Sequence, residues 1–227
     1  MEITTKFAEL IGIILGDGNI YINKKKSTYR ITIVGHSSND FEYLVYHVKN
    51  LVRELSGKSP SLWKYKNKKA IAISLCSKKF VFEVLKVGLK GGKKVEISIP
   101  PFILNSKKEI KAAFLRGLAD TDFWVTFKKN RYPVIGGSTS SKKFAKQIVE
   151  LLKEFNIKAS IDIRLRKNSF SKKPQFEIKI YGITNFKKWI AQIGFNNPKH
   201  LKKVNKIIKM IEKPRRCPRP KRSAKVV

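Results

Sequence analysis

The sequence predicts an α+β fold of two similar halves, each a four-stranded antiparallel sheet with helices on one face. A nine-residue pattern occurs twice, as LIGIILGDG at 10–18 and as LRGLADTDF at 115–123. Similar landmarks follow both copies at a spacing of about 105 residues. Several later segments alternate apolar and polar residues, as half-buried strands do. We therefore expect the element order αββαββα in each half.

In the first half, apolar residues at helical spacing predict a helix that runs into the first motif. Alternating segments then predict paired strands on either side of an amphipathic helix. The elements expected are a helix at 7–14, strands at 19–23 and 30–33, a helix at 41–55, and strands at 63–68 and 70–75.

The second half repeats this order, with a helix expected at 144–155 and a strand at 161–166. Gly136 and Gly137 are compatible with a β-bulge, so side-chain parity is not assigned in their strand. We place the halves at 1–104 and 105–212. The remaining segment, 213–227, holds 7 basic residues, 3 prolines and no acid, and we expect a flexible basic tail.

The charge predicts a polyanionic partner. Lys and Arg number 50 against 16 Asp and Glu, which gives a net charge of +34. Such an excess repels itself and is typical of nucleic-acid-binding proteins. Cys76 and Cys217 match no zinc or disulfide spacing, and no signal peptide or membrane span is expected. A cytoplasmic protein is expected, and the Lys- and Ile-rich composition favours a thermophilic source.

The two nine-residue segments resemble the paired motif of the LAGLIDADG homing endonuclease family, and the resemblance covers nearly the whole chain. It implies a monomeric, pseudo-symmetric saddle with both LAGLIDADG helices packed at the centre. Gly12 and Gly117 would form the helix interface because they let the two backbones approach closely. Gly16 and Thr121, one turn later, are also small.

Asp17 and Asp122 close the two motifs, and packing of the helices would bring their carboxylates together. Like charges repel, and helix C-termini are already negative, so a divalent cation with oxygen ligands would relieve the site. The resemblance implies that both residues bind the catalytic metal, helped by the carbonyls of Gly16 and Thr121. Mg²⁺ is expected, with Mn²⁺ as a substitute and Ca²⁺ supporting binding without cleavage. The family cuts both DNA strands across the minor groove and leaves short 3′ overhangs.

Three features qualify this interpretation. Asp17-Gly18 is also a common turn pair. Phe123 replaces the glycine that is usual in the family, which questions the backbone geometry of the second site. Asp120 resembles the earlier acid of the family motif, which is not the main metal ligand.

Basic and polar residues near each site are further candidates. The family often places a basic residue there, and Lys94 and Lys199 match that location as catalytic candidates, with Lys93 and Lys202 as rivals. Ordinary phosphate contact is an equal alternative. His36 and Ser138, near the end of the second strand of each half, match polar residues that orient water in the family.

Strand parity defines a polar face that we assign to DNA. Arginines and amides are expected to read bases, and lysines such as those at 24–26 to hold phosphates. The assigned residues are Tyr21, Asn23, Lys24, Lys26, Arg30, Thr32, His36, Lys64, Lys66, Lys68, Thr126, Lys128, Ser138, Arg164, Arg166, Lys179 and Tyr181. Because the halves differ in sequence, a long asymmetric target is expected.

Two other functions stay open at this point. One is a DNA-binding protein that does not cut, which the two acids disfavour, and the other is an RNA-splicing maturase. An intein host domain is disfavoured, since no terminal His-Asn is present, and a free-standing intron-encoded protein is expected. The expected partner is double-stranded DNA, with RNA as an option and no protein partner required.

Overall fold

The first half begins with the motif helix. In a computed structural model, which describes residues 3–92, 97–128, 132–165 and 174–212, helix α1 (Thr5–Gly16) starts where the Thr4 hydroxyl accepts a hydrogen bond from the Phe7 N–H at 3.2 Å. The elements that follow are β1 (Gly18–Asn23), β2 (Thr28–His36), a π-helical segment (Tyr43–Val48), α2 (Lys49–Ser56), β3 (Ser61–Lys64), β4 (Ala70–Cys76) and α3 (Lys78–Lys86).

The second half repeats this order and adds two helices. A short helix, α4 (Pro101–Leu104), precedes the second motif helix. The elements are then α5 (Lys108–Asp122), β5 (Phe123–Lys128), β6 (Tyr132–Thr139), α6 (Lys142–Lys153), β7 (Ser160–Arg164), β8 (Gln175–Tyr181), α7 (Ile183–Gln192) and α8 (Pro198–Glu212). The predicted αββαββα repeat is confirmed, and α4 and α8 are additions that the repeat did not predict.

Each half contributes one four-stranded antiparallel sheet. The strand orders are β1-β2-β4-β3 and β5-β6-β8-β7, so the two sheets have the same topology. One face of each sheet is apolar and joins a single hydrophobic core with the helices, in which both motif helices are buried. The other face carries the polar residues, and we call it the open face. Helices α1 and α5 pack against each other at the centre, as predicted.

The register of β6 corrects one expectation. Gly136 pairs with Trp124 and Gly137 with Phe123 in an unbroken ladder, so no bulge is present. A side chain at Gly136 would come within 2.5 Å of the Trp124 ring, and one at Gly137 would clash with the Phe123 ring. The two glycines therefore make room for aromatic rings of the neighbouring strand.

The register of β3 corrects another. Trp63 pairs with Ala72 and Lys64 with Ile71, so Trp63 lies on the open face and Lys64 on the core-side face. The Lys64 ammonium lies 5.9 Å from the centre of the Phe41 ring. The predicted outward parity of Lys64 is wrong because β3 is a short edge strand whose residues are all exposed, so burial leaves no pattern in its sequence. Lys66 and Lys68, predicted on this strand, lie in the turn between β3 and β4.

None of the described helices is long and apolar enough to cross a membrane.

Candidate functional site

The centre of the molecule is a close crossing of the two motif helices. A side chain at Gly12 would come within 2.7 Å of the Leu118 N–H nitrogen, and one at Gly117 within 2.9 Å of the Glu9 carbonyl carbon. Each glycine thus faces the backbone of the opposite helix. Any larger residue at either position would force the helices apart.

The two aspartates lie at adjoining helix ends. A side chain at Gly16 would lie 3.4 Å from the Asp122 carboxyl carbon and would clash with the Thr121 hydroxyl, so the end of α1 touches the end of α5. Asp17 caps α1 and is exposed, whereas Asp122 is the last residue of α5 and is half-buried. The repeat therefore brings the Asp122 carboxyl beside the residue that precedes Asp17.

The donor chemistry of this place suits a hard divalent cation. Both side chains are carboxylates, and both stand at helix C-termini, where the partial charge of the last carbonyls is negative. Carboxylate and carbonyl oxygens are the ligands that Mg²⁺, Mn²⁺ and Ca²⁺ prefer. In the described part of the chain no cluster of three or more His, Cys, Asp and Glu residues could form a closed metal cage. The residues present thus fit a cation that takes its other ligands from carbonyls, water or substrate.

Neighbouring strands place different residues beside the two aspartates. The Val34 N–H donates to the Asp17 carbonyl at 3.3 Å. Ser138 follows Gly137, the register partner of Phe123, and so lies beside Asp122. His36 lies two residues beyond Val34, and its Nδ1 accepts hydrogen bonds from the Ser38 and Asn39 N–H groups at 3.2 and 3.3 Å. His36 and Ser138 are therefore not equivalent positions.

The lysine candidates divide into those the structure describes and those it does not. Lys199 forms an ion pair with Asp40 at 2.8 Å, and its N–H donates to the Asn197 side chain at 3.1 Å. It is therefore already engaged in a contact between the halves. Lys202 is 3.9 Å from Glu42. Lys93, Lys94, Arg166 and the tail 213–227 lie outside the described residues.

The open face of the first sheet is basic, amide-bearing and aromatic. The Arg30 guanidinium lies 5.4 Å from the centre of the Tyr21 ring, and the Asn23 amide is 3.4 Å from the Tyr21 hydroxyl. Thr32 contacts Ser74 at 3.4 Å across the sheet. Trp63, which sequence parity assigned to the other face, is 48% exposed and stacks on Tyr65 at 5.9 Å. This face thus offers donors and flat rings together.

The open face of the second sheet contains acids that sequence reasoning passed over. Arg164 pairs with Glu177 at 3.0 Å, and Lys179 pairs with Asp162 at 2.5 Å and with Glu177 at 3.1 Å. Asp162 and Glu177 are direct cross-strand partners, so the two cations offset a repulsion between like charges. These pairs raise the pKa of Lys179. Thr126, Lys128 and Tyr181 share this face by register, and the Lys128 ammonium lies 5.7 Å from the Tyr181 ring centre.

Behind the aspartates, a buried polar cluster joins the two halves. Burial alone would raise the pKa of Glu9, but the hydrogen bond with His47 and the charge of Arg116 outweigh it and hold the pKa below its usual value. Burial raises the pKa of Asp120 to about 7, although its carboxylate accepts hydrogen bonds from the N–H groups of Asn197 and Asn196 at 2.9 to 3.1 Å. None of these residues except Asp120 was singled out from the sequence.

A second bond set completes the cluster. The Asn197 side chain donates to the Asp40 carboxylate and to the Asp120 carbonyl, both at 3.0 Å. Asp40 also accepts the His36 N–H at 2.9 Å. Asn196 and Asn197 precede α8, while Asp40 precedes the π-helical segment, so the last helix of the second half is fastened to the first half.

Comparison with protein families and curated proteins places the fold in context. Residues 109–194 match a family model described as a LAGLIDADG-like domain. The chain is 28% identical over 204 residues to the replication factor C small subunit of Methanocaldococcus jannaschii, which covers 90% of this chain and 10% of that protein. It is 27% identical over 195 residues to the ATP-dependent DNA helicase Hel308 of Thermococcus kodakarensis, covering 84% and 16%. The chain thus spans only about a tenth to a sixth of these relatives' lengths.

Solved structures with the same fold include DNA complexes. I-DmoI in complex with DNA and Ca matches with a TM-score of 0.63 and 17% identity, over 91% of this chain and 100% of that chain. The LAGLIDADG homing endonuclease I-LtrWI bound to target DNA matches with a TM-score of 0.57 and 11% identity, over 92% and 91%. At these identities the likeness establishes the fold.

Proposed function

We propose that the chain is a two-motif member of the LAGLIDADG family, and that it is a site-specific, metal-dependent endonuclease of double-stranded DNA. The observation that carries the proposal is the adjacency of the two motif ends, where the Asp122 carboxyl packs against Gly16 and Asp17 follows at once. A protein that only bound DNA would gain nothing from acids at the centre of a surface meant for phosphates.

Asp17 and Asp122 would hold the divalent cation, with the carbonyls of Gly16 and Thr121 as further oxygen ligands. The chemistry that such a cation would supply is polarisation of a phosphate and a lower pKa for a coordinated water. Mg²⁺ is the proposed ion, with Mn²⁺ as a substitute and Ca²⁺ supporting binding alone. The neighbouring DNA-complex structures that contain Mn, Mg or Ca support this choice.

The two open faces would bind the duplex on either side of the aspartates. Lys24, Lys26, Lys66 and Lys68 are in or next to the turns that join β1 to β2 and β3 to β4, and suit phosphate contacts. Arg30 and Asn23 in the first half, and Arg164 in the second, suit base contacts. The target would be long and asymmetric, and both strands would be cut across the minor groove to leave short 3′ overhangs.

The curated relatives differ in function, so their names do not indicate the activity of this chain. They support a segment that occurs within unrelated host proteins. A replication factor subunit, a translation initiation factor, a helicase and an RNA polymerase subunit share the matched segment but no single reaction. The shared segment is therefore the part that we propose binds and cuts DNA.

The test uses a DNA duplex selected from a random library by binding in Ca²⁺ and then placed in a supercoiled plasmid. With Mg²⁺, the wild-type chain should linearise the plasmid. Asp17→Asn and Asp122→Asn should each abolish double-strand cutting while DNA binding persists, because contacts elsewhere supply the affinity. Full linearisation by both single variants would contradict the assignment.

A further inference from the structure

At the centre of the crossing, the two motif helices meet through glycines. Gly12 faces the backbone of α5, and Gly117 faces the Glu9 carbonyl on α1. A glycine-to-backbone contact allows close approach, but it adds no directional bond that fixes one helix along the other. Because an α-helix rises 1.5 Å per residue, even a shift of one residue would separate the helix ends that bring Asp17 and Asp122 together.

Glu9 supplies what the glycine contact lacks. It lies on α1 at the crossing itself, and its side chain is 6% exposed. Its Oε2 accepts from the Arg116 guanidinium on α5 at 3.0 Å. Its Oε1 contacts His47 Nε2 at 2.5 Å and accepts from the Asn196 side chain at 2.8 Å. Three other parts of the chain therefore converge on one carboxylate: α5, the π-helical segment and the loop before α8.

Arg116 and His47 are themselves placed by other parts of the chain. The Arg116 guanidinium also donates to the Ile193 carbonyl at 3.3 Å, which ties it to the end of α7. His47 belongs to the π-helical segment of the first half, whereas the corresponding helix of the second half, α6, is regular. π-Helical turns are rare and often mark functional places. Within this π-helical segment, the rings of Tyr43 and His47 stack with their centres 5.4 Å apart.

The Glu9–Arg116 ion pair is not repeated at the equivalent positions of the two halves. At the repeat spacing, the equivalents of Glu9 and Arg116 are Phe114 and Ile11, both apolar and fully buried. Pseudo-symmetry therefore does not require the ion pair. Buried ion pairs contribute little net stability compared with apolar residues of similar size, but they can select one register.

We propose that the Glu9–Arg116 ion pair, held by His47 and Asn196, is a positioning device that sets the axial register of α1 against α5 and thereby the relative placement of Asp17 and Asp122. This inference rests on the proposed function for its catalytic consequence only. The register itself is a property of the protein without metal or DNA.

The test separates positioning from stability. In Glu9→Met/Arg116→Met both charges are replaced by apolar side chains, so no buried charge of the pair is left alone. The thermal midpoint and DNA affinity should stay close to those of the wild type. Cutting should fall roughly 10- to 100-fold, since a misplacement of about 1 Å is enough for such a loss, and nicked plasmid should accumulate.

A matched control lies on the same helix. Lys111 on α5 pairs with Glu154 at 2.7 Å, within the second half, and its side chain is 10% exposed. Lys111→Met/Glu154→Met removes an ion pair of similar geometry that does not reach α1. It should cut at the wild-type rate with no build-up of nicked plasmid.

A crystal structure of the metal-free double variant gives a readout that needs no activity. The expected result is a displacement of α5 along α1 by about 1 Å or more, on the scale of the helical rise. An unchanged crossing together with wild-type cutting would overturn the proposal. If the wild-type chain cuts no DNA, the proposed function fails. The comparison of the two crystal structures would still show whether the Glu9–Arg116 ion pair sets the register of α1 against α5. If the double variant does not fold, Glu9→Gln replaces it, because this variant keeps the shape of the side chain and one acceptor. It should shift the helix crossing and slow cutting in the same direction. A wild-type crossing with wild-type cutting in Glu9→Gln would also overturn the proposal.

Discussion

Asp17 and Asp122 are equivalent in the repeat but are reached by different local structures. Gly18 follows Asp17, and a side chain there would come within 2.5 Å of the Ile14 Cα, so the first half needs a glycine to turn from helix to strand. In the second half, α5 continues through Asp122, and Phe123 is extended and buried against Trp189 at 5.8 Å between ring centres. The replacement of the usual glycine by Phe123 is thus accommodated by a longer helix and by Gly137 on the next strand.

His200 is a buried histidine that neither the motifs nor the repeat spacing indicates. It is 1% exposed, and its ring lies 4.9 Å from that of Phe195. Burial, followed by the charges of Lys199 and Lys203, lowers its pKa to about 4. The neutral ring is therefore the folded form at neutral pH, and the unfolded chain takes up a proton first as the pH falls.

We predict that His200 weakens the fold between about pH 6.5 and about pH 4. A histidine with a lowered folded pKa contributes stability above its unfolded pKa, and this contribution is lost as the pH falls through that window, by at most about 1.4 kcal/mol per pH unit. Asp120, whose pKa is raised to about 7, has the opposite slope, so the comparison must be with His200→Leu. Denaturant unfolding of both proteins at several pH values checks this. A constant difference between them across the window would contradict the burial argument.

At the scale of elements, periodicity predicted the strands well where one face is buried and poorly where neither is. β2 and β4 alternate around Ile31, Ile33, Ile71 and Ile73, and their parity follows from the sequence. Every residue of β3 is exposed, so its parity depends on pairing with β4, which periodicity does not reveal. The glycine pair of β6 misled for a related reason. The two glycines are needed because they face the rings of Trp124 and Phe123 on β5. The sequence of β6 alone does not reveal this pairing.

The corrected parity of β3 yields a prediction on DNA recognition. Trp63→Ala should change the preference among base pairs at particular target positions, because Trp63 lies on the open face. Lys64→Ala should leave both the base preference and the salt slope close to those of the wild type, because Lys64 lies on the core-side face. Binding to single-base variants of the selected duplex at several salt concentrations distinguishes them. Interchanged behaviour of the two variants would mean that the open face is not the face that contacts DNA.

The glycines of β6 yield a prediction on stability. Gly137→Ala should lower the free energy of unfolding by about 1–3 kcal/mol, since the added methyl group meets the Phe123 ring in a packed interior. Ser138→Ala, one residue further along the same strand, should change it by less than about 0.5 kcal/mol. Chemical denaturation of the three proteins provides the values. Equal stability of Gly137→Ala and the wild type would show that the ring has room to move.

At the scale of the whole molecule, the repeat predicted the architecture and the charge predicted a polyanionic partner, whereas the contacts between the halves could not be predicted. The paired motifs predicted the central helices and their adjoining ends, because small residues and acids recur at a fixed spacing. The cluster around Glu9 and Asp120 joins residues as far apart as 187 positions, and each of its members is unremarkable in its own segment. Buried polar partners are chosen by the packed structure, so single-sequence periodicity carries no sign of them.

Opposite charges on the second open face illustrate the same limit. Sequence parity placed Arg164 and Lys179 outward, and the register agrees. The net charge of +34 suggests free cations, yet both are paired with Asp162 or Glu177. Arg164 is still 65% exposed at its side chain and keeps donors for a base, whereas Lys179 is 11% exposed and acts mainly to hold the two acids.

Anomalous scattering of Mn²⁺, in crystals of the chain bound to its selected duplex, would locate the cation directly. We expect a Mn²⁺ peak within about 2.0–2.4 Å of carboxylate oxygens of Asp17 and Asp122, beside a backbone phosphate of the duplex. In crystals of Asp17→Asn or Asp122→Asn that peak should weaken or disappear while the duplex stays bound. A duplex bound on the open faces with no Mn²⁺ at either aspartate, or with Mn²⁺ at other residues, would show that Asp17 and Asp122 do not hold the catalytic metal.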